Sequence, residues 1–530
     1  MPSLAKRARA FEAKRAAPAG APAPTPAEVH HGLQRGLSNA YVAAAIITLA
    51  IGGVGYLRNT TPDAMQRIAL QKWLRAHGAI APKLRIGSSP IGGLGTFATG
   101  DIASGEAILS VPKKLMITGE KAPKELTRHA AIAELLESSN ELSNILPVML
   151  ALLAEADKGN SSFYAPYIAT LPTAVDNPLA YSKEQRAELD GTLAAPLLKN
   201  NAQLVKSSAA AAVKACADGP PRPPGRDCKS VYGEARMMWA LVTVRSRGVL
   251  RNLGDGNKAG PRLAMVPLLD ILNHEVPPAE LHAADDVAKP LKGGGLTLNA
   301  ARRFAKNEEV VWTYGAKPNY GLLLEGGFAL PPGENPYEQA HVVLRAVRDI
   351  STDPLFDKRQ KLLDAVTELY QDWVLGRPPR MVFCMPGDPQ LGGPTVIDGW
   401  IPVQTLVRAR VLVLRDSSEI EPLLEAGPAR RLLKGKALAQ SARERDALKM
   451  LIDLASRKLG TYPNGAALAA DDPDEAALEA DANGTAPLER PMRMILRTRL
   501  GEKRVLRGAL EAMRARESKS CPHSERCDLS

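Results

Sequence analysis

Between Ile86 and Thr118 the apolar residues come in short runs broken by Gly and Pro, which predicts short strands joined by turns. The period then lengthens. Ala130 to Leu136 and Leu146 to Ala156 repeat apolar positions at helical spacing, with Leu146, Leu150 and Leu153 on one face. An Ala/Lys-rich stretch from Leu193 to Ala217 continues the helical character until Gly219-Pro220-Pro221-Arg222-Pro223-Pro224-Gly225 forces an exposed loop. Strand patterns return at Gly295 to Ala300 and at Glu309 to Tyr314. Beyond Pro336 amphipathic helices take over: Leu362, Val366, Leu369 and Trp373 share one face, as do Leu448, Ile452, Ala455 and Leu459. An Ala/Asp/Gly-rich spacer, Pro463 to Pro487, is expected to be a surface loop. The predicted fold class is α+β, a β-rich core split by a helical insert and followed by an all-helical C-terminal domain.

Length and composition narrow the picture. A chain of 530 residues exceeds the size at which one hydrophobic core keeps growing, so two folded domains plus tails are expected. The net charge of +11 is compatible with an acidic partner, but no Lys/Arg run is interleaved with aromatics, and nucleic acid is not an expected partner. Five cysteines show no metal-ligand spacing, so they are read as reduced thiols and no structural metal is expected.

The N-terminus reads differently. Lys6, Arg7, Arg9, Lys14, Arg15 and Arg35 face only Glu12 and Glu28 across an Ala/Pro-rich stretch, the composition of a disordered or organelle-targeting segment. Ala40 to Leu57 carries no charge and is just long enough to span a bilayer, with Tyr41, Tyr56 and Arg58 at its ends. A single-pass N-terminal membrane anchor over 40–57 is therefore expected, with a cleaved targeting segment, for example to the chloroplast, as the alternative.

The chemistry-bearing motifs occur in a fixed order. Leu70-Gln71-Lys72-Trp73-Leu74 to Gly78-Ala79 leads to Gly92-Gly93-Leu94-Gly95, then to Asp101-Ile102-Ala103-Ser104-Gly105-Glu106 and Ile108-Leu109-Ser110-Val111-Pro112. Tyr164-Ala165-Pro166-Tyr167 to Leu171-Pro172, Trp239 to Ser246-Arg247, Asp270-Ile271-Leu272-Asn273-His274 and Trp312-Thr313-Tyr314-Gly315 follow, and Gly501-Glu502-Lys503 closes the series. Glycines so placed let the backbone approach a ligand. A dinucleotide fingerprint would need a helix after the Gly-x-Gly, and Thr96-Phe97-Ala98 begins a strand pair instead.

In this order the segments resemble the SET-domain methyltransferases, specifically the Rubisco large-subunit methyltransferase-like branch, from about Pro62 to Arg516. The resemblance implies a SET domain at 62–335 with its insert at about 120–240 and a helical substrate-binding domain at 336–516, leaving outside it the basic N-terminus at 1–61 and a tail at 517–530. It implies S-adenosyl-L-methionine as cofactor, a non-histone protein as substrate and lysine as the methylated residue; the oligomeric state is left open, with a monomer expected. Cofactor binding falls to the core and protein binding to the C-terminal helices. By the same resemblance Tyr314 is the catalytic residue, its hydroxyl orienting methyl donor and amine. Gly93, Leu94, Gly95, Ser246, Arg247, Asp270, Asn273 and His274 are the cofactor-binding candidates. An Arg at 247 suits a carboxylate because its guanidinium pairs bidentately.

Three departures bear on specificity. The family's Ser-Asn after the tyrosine is Pro318-Asn319, its Tyr-Gly-Phe is Gly326-Gly327-Phe328, and Glu275-Val276-Pro277-Pro278 places an acid expected near the substrate entrance. Loss of a second aromatic hydroxyl leaves histidine open as the methylated residue, since a relative in this branch that methylates histidine also lacks that tyrosine. A catalytically silent scaffold on the same fold is the remaining alternative.

Overall fold

The computed structural model describes residues 62–174, 176–220, 226–254, 260–276, 287–343, 354–368, 380–384, 395–396, 399–425, 442–463, 465 and 472–519. The chain divides after Ala69 into two units. Of the first, residues 62–69 are described, as the start of helix α1 (Pro62–Ala76). Everything below concerns the second.

Gly and Pro punctuate the β-rich region into strands β1 (Leu84–Ser88), β2 (Leu94–Ala98), β3 (Ala107–Pro112) and β4 (Ile117–Thr118). After the insert come β5 (Gly248–Arg251), β6 (Arg262–Met265), β7 (Ala288–Pro290), β8 (Gly295–Asn299) and β9 (Glu309–Val310). They form three small antiparallel sheets, ordered β1-β2-β9, β3-β8-β7 and β4-β6-β5. Each sheet joins strands from both sides of the insert: Thr96 lies opposite Val310, Ser110 opposite Thr297 and Thr118 opposite Ala264. Side chains reinforce two of these seams, Thr96 Oγ1 donating to the Val310 carbonyl at 3.0 Å and the Ser110 and Thr297 hydroxyls meeting at 2.8 Å.

The insert supplies α2 (Ala130–Ser138), α3 (Asn140–Asp157), α4 (Ala194–Ala217) and α5 (Glu234–Arg247). Ser139 caps α3 by accepting the Leu142 N–H, satisfying a donor that a helix start otherwise leaves unpaired. Leu146, Leu150 and Leu153 are fully buried, as their spacing predicted. At about 1.5–3 kcal/mol for each buried Leu, this face fastens the insert to the sheets.

After α6 (Asn319–Gly326), the C-terminal region contains α7 (Phe356–Glu368), α8 (Val403–Leu412), α9 (Ser417–Glu425), α10 (Ala442–Leu459), α11 (Pro473–Ala482) and α12 (Arg490–Lys519). To the expected helices the structure adds two short antiparallel pairs, β10 (Gln339–Val343) with β11 (Arg380–Cys384) and β12 (Thr395–Val396) with β13 (Ile401–Pro402). Leu448 and Ala455 of α10 pack with Val505, Leu506, Ala509 and Met513 of α12. Gly508 lies inside α12, where glycine costs about 1 kcal/mol, because a Cβ there would meet the Trp400 ring at 2.3 Å. A separate apolar cluster joins Leu198 of the insert, Leu323 and Leu324 of α6, and Met494 and Ile495 of α12.

Several expectations are corrected. The spacer 463–487 is not all loop, since α11 forms within it. Asp472 caps that helix from its Asp474 N–H, Pro473 takes the first helical position and acids fill the first turn, a start signal that composition alone obscured. Cys216 and Cys228 are not free thiols but form a disulfide, with Cα atoms 5.7 Å apart. They end α4 and begin the short returning helix Cys228–Tyr232, so the turn of the chain brings them together. Cys384 is a buried thiol outside the disulfide, and Cys521 and Cys527 lie outside the described residues. Leu369 and Trp373, expected on the α7 face, also lie outside them, while Leu362 is buried. The membrane expectation is overturned: among the described residues no helix is long and apolar enough to cross a membrane. The segment 40–57 on which it rested lies outside the described residues.

Candidate active site

Asp270 to His274 leave β6 through a sharp turn. Leu268, buried, holds φ at +77°, a conformation unfavourable for a residue with a side chain, and Leu269–Ile271 then form a single 3-10 turn. The segment runs beside Trp312 to Tyr314: the Trp312 N–H donates to the Asn273 carbonyl at 3.0 Å, the Glu275 N–H to the Trp312 carbonyl at 3.0 Å, and His274 and Trp312 form a parallel bridge. Two motifs far apart in sequence thus become one piece of backbone.

Side chains lock that contact. The Tyr314 hydroxyl donates to the Leu272 carbonyl at 2.8 Å, and the Tyr314 N–H donates to His274 Nδ1 at 3.1 Å. An imidazole nitrogen that accepts is unprotonated, and burial together with Lys317 pushes the His274 pKa down to about 4. Burial pushes the Tyr314 hydroxyl up to about 12, so it stays protonated at neutral pH. Neither ring is suited to take a proton there. Because the unfolded chain binds a proton on His274 near its ordinary value of 6.5 and the folded chain only near 4, stability should fall as pH drops through that window. The expected loss is on the order of 3 kcal/mol and is absent above the window. Thermal unfolding followed against pH should show this slope in the parent and a shallower one in His274→Gln; equal slopes would refute the assignment.

Asn273 Nδ2 donates to the Leu94 carbonyl at 3.2 Å and to Glu309 Oε1 at 2.7 Å, while Ser89 Oγ donates to Glu309 Oε2 at 2.9 Å. Glu309 therefore ties the asparagine to the glycine turn. Gly95 is needed beneath it, since a Cβ there would meet Glu309 Oε1 at 2.3 Å. Of the expected Gly-x-Gly, Gly93 and Leu94 line a cavity, whereas Gly95 supports the carboxylate behind them. Sequence reading passed over Glu309, which carries no local signal.

Two cavities flank Tyr314. The first, about 900 Å³, runs along Asn144, Asn201, Arg251, Trp312, Lys317 and Glu325. The second, about 610 Å³, is bounded by Gly92 to Leu94, Trp239, Asn273, His274 and Leu330. They share Ser246, Arg247, Asp270, Tyr314, Gly326 and Phe328. Asp270 sits at this junction: its Oδ2 accepts the buried Tyr167 hydroxyl at 2.6 Å, Arg247 Nη1 donates to its carbonyl at 2.9 Å, and Oδ1 is buried without a partner. Burial raises the Asp270 pKa, with Arg247 and the Tyr167 bond opposing. Ser246 Oγ donates to the Thr243 carbonyl within α5 at 3.3 Å. Asn319 makes a double hydrogen bond with Leu330 and so fixes the Phe328 to Pro331 wall. Glu275 departs from expectation: it lines neither cavity and pairs with Arg302 at 2.9 Å.

Comparison with known proteins agrees with this architecture. The family model of the SET domain matches residues 93–315, and that of the Rubisco LSMT substrate-binding domain matches 351–506. The chain is 26% identical over 302 residues to the chloroplastic ribulose-1,5-bisphosphate carboxylase/oxygenase large subunit N-methyltransferase of Pisum sativum, covering 54% of this chain and 55% of that one. It is 27% identical over 263 residues to the actin-histidine N-methyltransferase of Homo sapiens, covering 49% and 41%. The chain thus spans about half the length of the curated relatives it matches. The solved SET domain of LSMT bound to lysine and AdoHcy superposes with a TM-score of 0.62 at 20% identity, covering 87% of this chain and 93% of that one. Rubisco LSMT bound to AdoMet gives 0.60 at 21%, covering 86% and 93%. This is a SET-fold protein. It belongs to the Rubisco LSMT-like branch of the SET-domain family, with a substrate-binding domain of that branch at its C-terminal side.

Proposed function

We propose that this protein is an S-adenosyl-L-methionine-dependent protein N-methyltransferase whose target is a side-chain nitrogen, lysine first, of a non-histone protein. The observation that carries the reading is the pair of cavities meeting at Tyr314, which suits transfer of a group between a ligand on one side and a side chain entering from the other. The residues present fit a nucleoside sulfonium ligand. Gly92 and Gly93 have positive φ, and a Cβ on either would meet nothing within 4 Å, so their backbone lies open. Arg247, partly exposed at the junction, offers a cation for a carboxylate.

When bound, the sulfonium would supply an electrophilic methyl group that passes to nitrogen as its bond to sulfur breaks. The chain's part is alignment and desolvation. A lysine amine must shed a proton whose ordinary pKa is about 10.4, and leaving water for the cavity lowers that value by disfavouring the charged form. Tyr314, protonated and anchored on Leu272, would orient the reacting groups by hydrogen bonding rather than by moving a proton.

One observation favours histidine as a second reading. Gly326 brings no side chain to the junction, so the second aromatic hydroxyl expected there is absent and the rings are those of Tyr314 and Phe328. Relatives at 26–27% identity are named actin-histidine N-methyltransferases.

Incubating the protein with methyl-labelled cofactor and a matching cell extract should label a discrete band. Hydrolysis of that band to methyl-lysine or methyl-histidine would decide between the two readings, and no protein-bound label would end both. Asn273→Ala should weaken binding of S-adenosylhomocysteine by about tenfold in calorimetry, because it frees Glu309 and the glycine turn together. Unchanged affinity would remove Asn273 from the site.

A further inference from the structure

The β1–β2 hairpin turns through Ser89-Pro90-Ile91-Gly92-Gly93, where Ile91 carries the only side chain between Pro90 and Leu94. Ile91 is 62% exposed and lies in the wall of the second cavity together with Gly92 and Gly93. Exposure alone carries no weight, because single apolar side chains are common on protein surfaces. Ile80 is exposed to the same 62% and lines neither cavity. What sets Ile91 apart is the place of its exposure, at a cavity whose occupant can cover it.

The turn that presents it is held at its base. The Ser89 N–H donates to the Gly93 carbonyl at 3.0 Å, and the Ile91 N–H donates to Ser89 Oγ at 3.0 Å. That hydroxyl donates in turn to Glu309 Oε2 at 2.9 Å, the carboxylate whose other oxygen accepts Asn273 Nδ2. One acid thus positions both Ile91 and the asparagine of the site, and a preordered contact loses little entropy on binding. Which part of the cofactor Ile91 meets follows from where the cavities join. Methyl transfer between them has to occur at the junction around Tyr314, so the sulfonium belongs there, with Arg247 at hand for the carboxylate. Ile91, Gly92 and Gly93 line the second cavity only. The parts left for that side are a polyhydroxylated ribose and a purine, and of these the purine offers the apolar face.

Resting on the cofactor reading above, we propose that Ile91 is a cofactor-binding residue whose side chain packs on the purine and covers it from solvent. The contact contributes through apolar burial. It involves no charge, so its share of the affinity does not depend on salt. Because the side chain is exposed until the ligand covers it, replacing it leaves the stability of the unliganded chain unchanged.

Calorimetry on the full chain tests this with two probes, S-adenosylhomocysteine and 5′-methylthioadenosine, the second lacking the amino-acid carboxylate. Ile91→Ser should bind both about tenfold more weakly than the parent, by the same factor at low and high salt. Ile91→Leu should recover most of that loss, while Ile80→Ser, equally exposed but off both cavities, should bind both as the parent does. If Ile91→Ser fails to fold, Ile91→Ala carries the same test with the same expected direction. Parental affinity for both probes in a folded Ile91→Ser or Ile91→Ala chain would overturn the inference while leaving the cofactor reading intact. A loss confined to S-adenosylhomocysteine would overturn it too, placing Ile91 against the amino-acid part. So would an equal loss in Ile80→Ser, which would mark a general effect of removing a surface isoleucine. No binding of either probe by the parent would overturn the cofactor reading itself and this inference with it.

Discussion

Tyr314→Phe is expected to cut methyl-transfer turnover by about tenfold to a thousandfold, on the order of 1.4 to 4 kcal/mol of transition-state stabilisation, while the chain still folds. The substitution removes little volume but deletes the hydroxyl that donates to the Leu272 carbonyl and faces the junction of the two cavities. The orphaned carbonyl should cost only about 1 kcal/mol of stability. Because the hydroxyl is held protonated by burial, the variant should lose rate at every pH rather than shift the profile. Single-turnover kinetics at saturating cofactor provide the check. Parental rates there would rule Tyr314 out as the orienting group.

Lys503→Met should destabilise the chain by about 3–5 kcal/mol, the usual consequence of removing one partner from a buried ionic group. Lys503 is fully buried in α12, its Nζ 3.0 Å from Asp472 Oδ1 and 2.7 Å from Asp474 Oδ2. Arg507 also pairs with Asp472, and Arg499 bridges Asp474 to Glu188 of the insert. Charges of both signs balance across this group, so deleting a cation strands buried carboxylates next to α11. Denaturant unfolding followed by helical circular dichroism would measure the loss. A change below about 1 kcal/mol would mean that the acids readily reach water and that the group does not fasten α11 to α12.

The helix faces, the strand punctuation and the order of the site motifs were legible because each is a local property. Leu146, Leu150 and Leu153 recur at a helical period, so the buried side was readable even though its partner was not. Asn273, His274 and Tyr314 stood out through the neighbours each has in sequence. The N-cap and proline that begin α11 were equally local and were masked only by the acidic, glycine-rich composition around them.

The tertiary structure alone decided what meets what. Thr96 opposite Val310, Glu309 beneath Asn273 and Arg497 at the cavity wall are contacts across long stretches of chain. Burial of apolar surface is non-directional, so a sequence can state that a face is buried without stating against what. The same reason separates the two arginines that matter here. Arg247 was found from its neighbours along the chain, whereas Arg497 looked like one more cation on a basic helix until folding placed it in the wall of the second cavity.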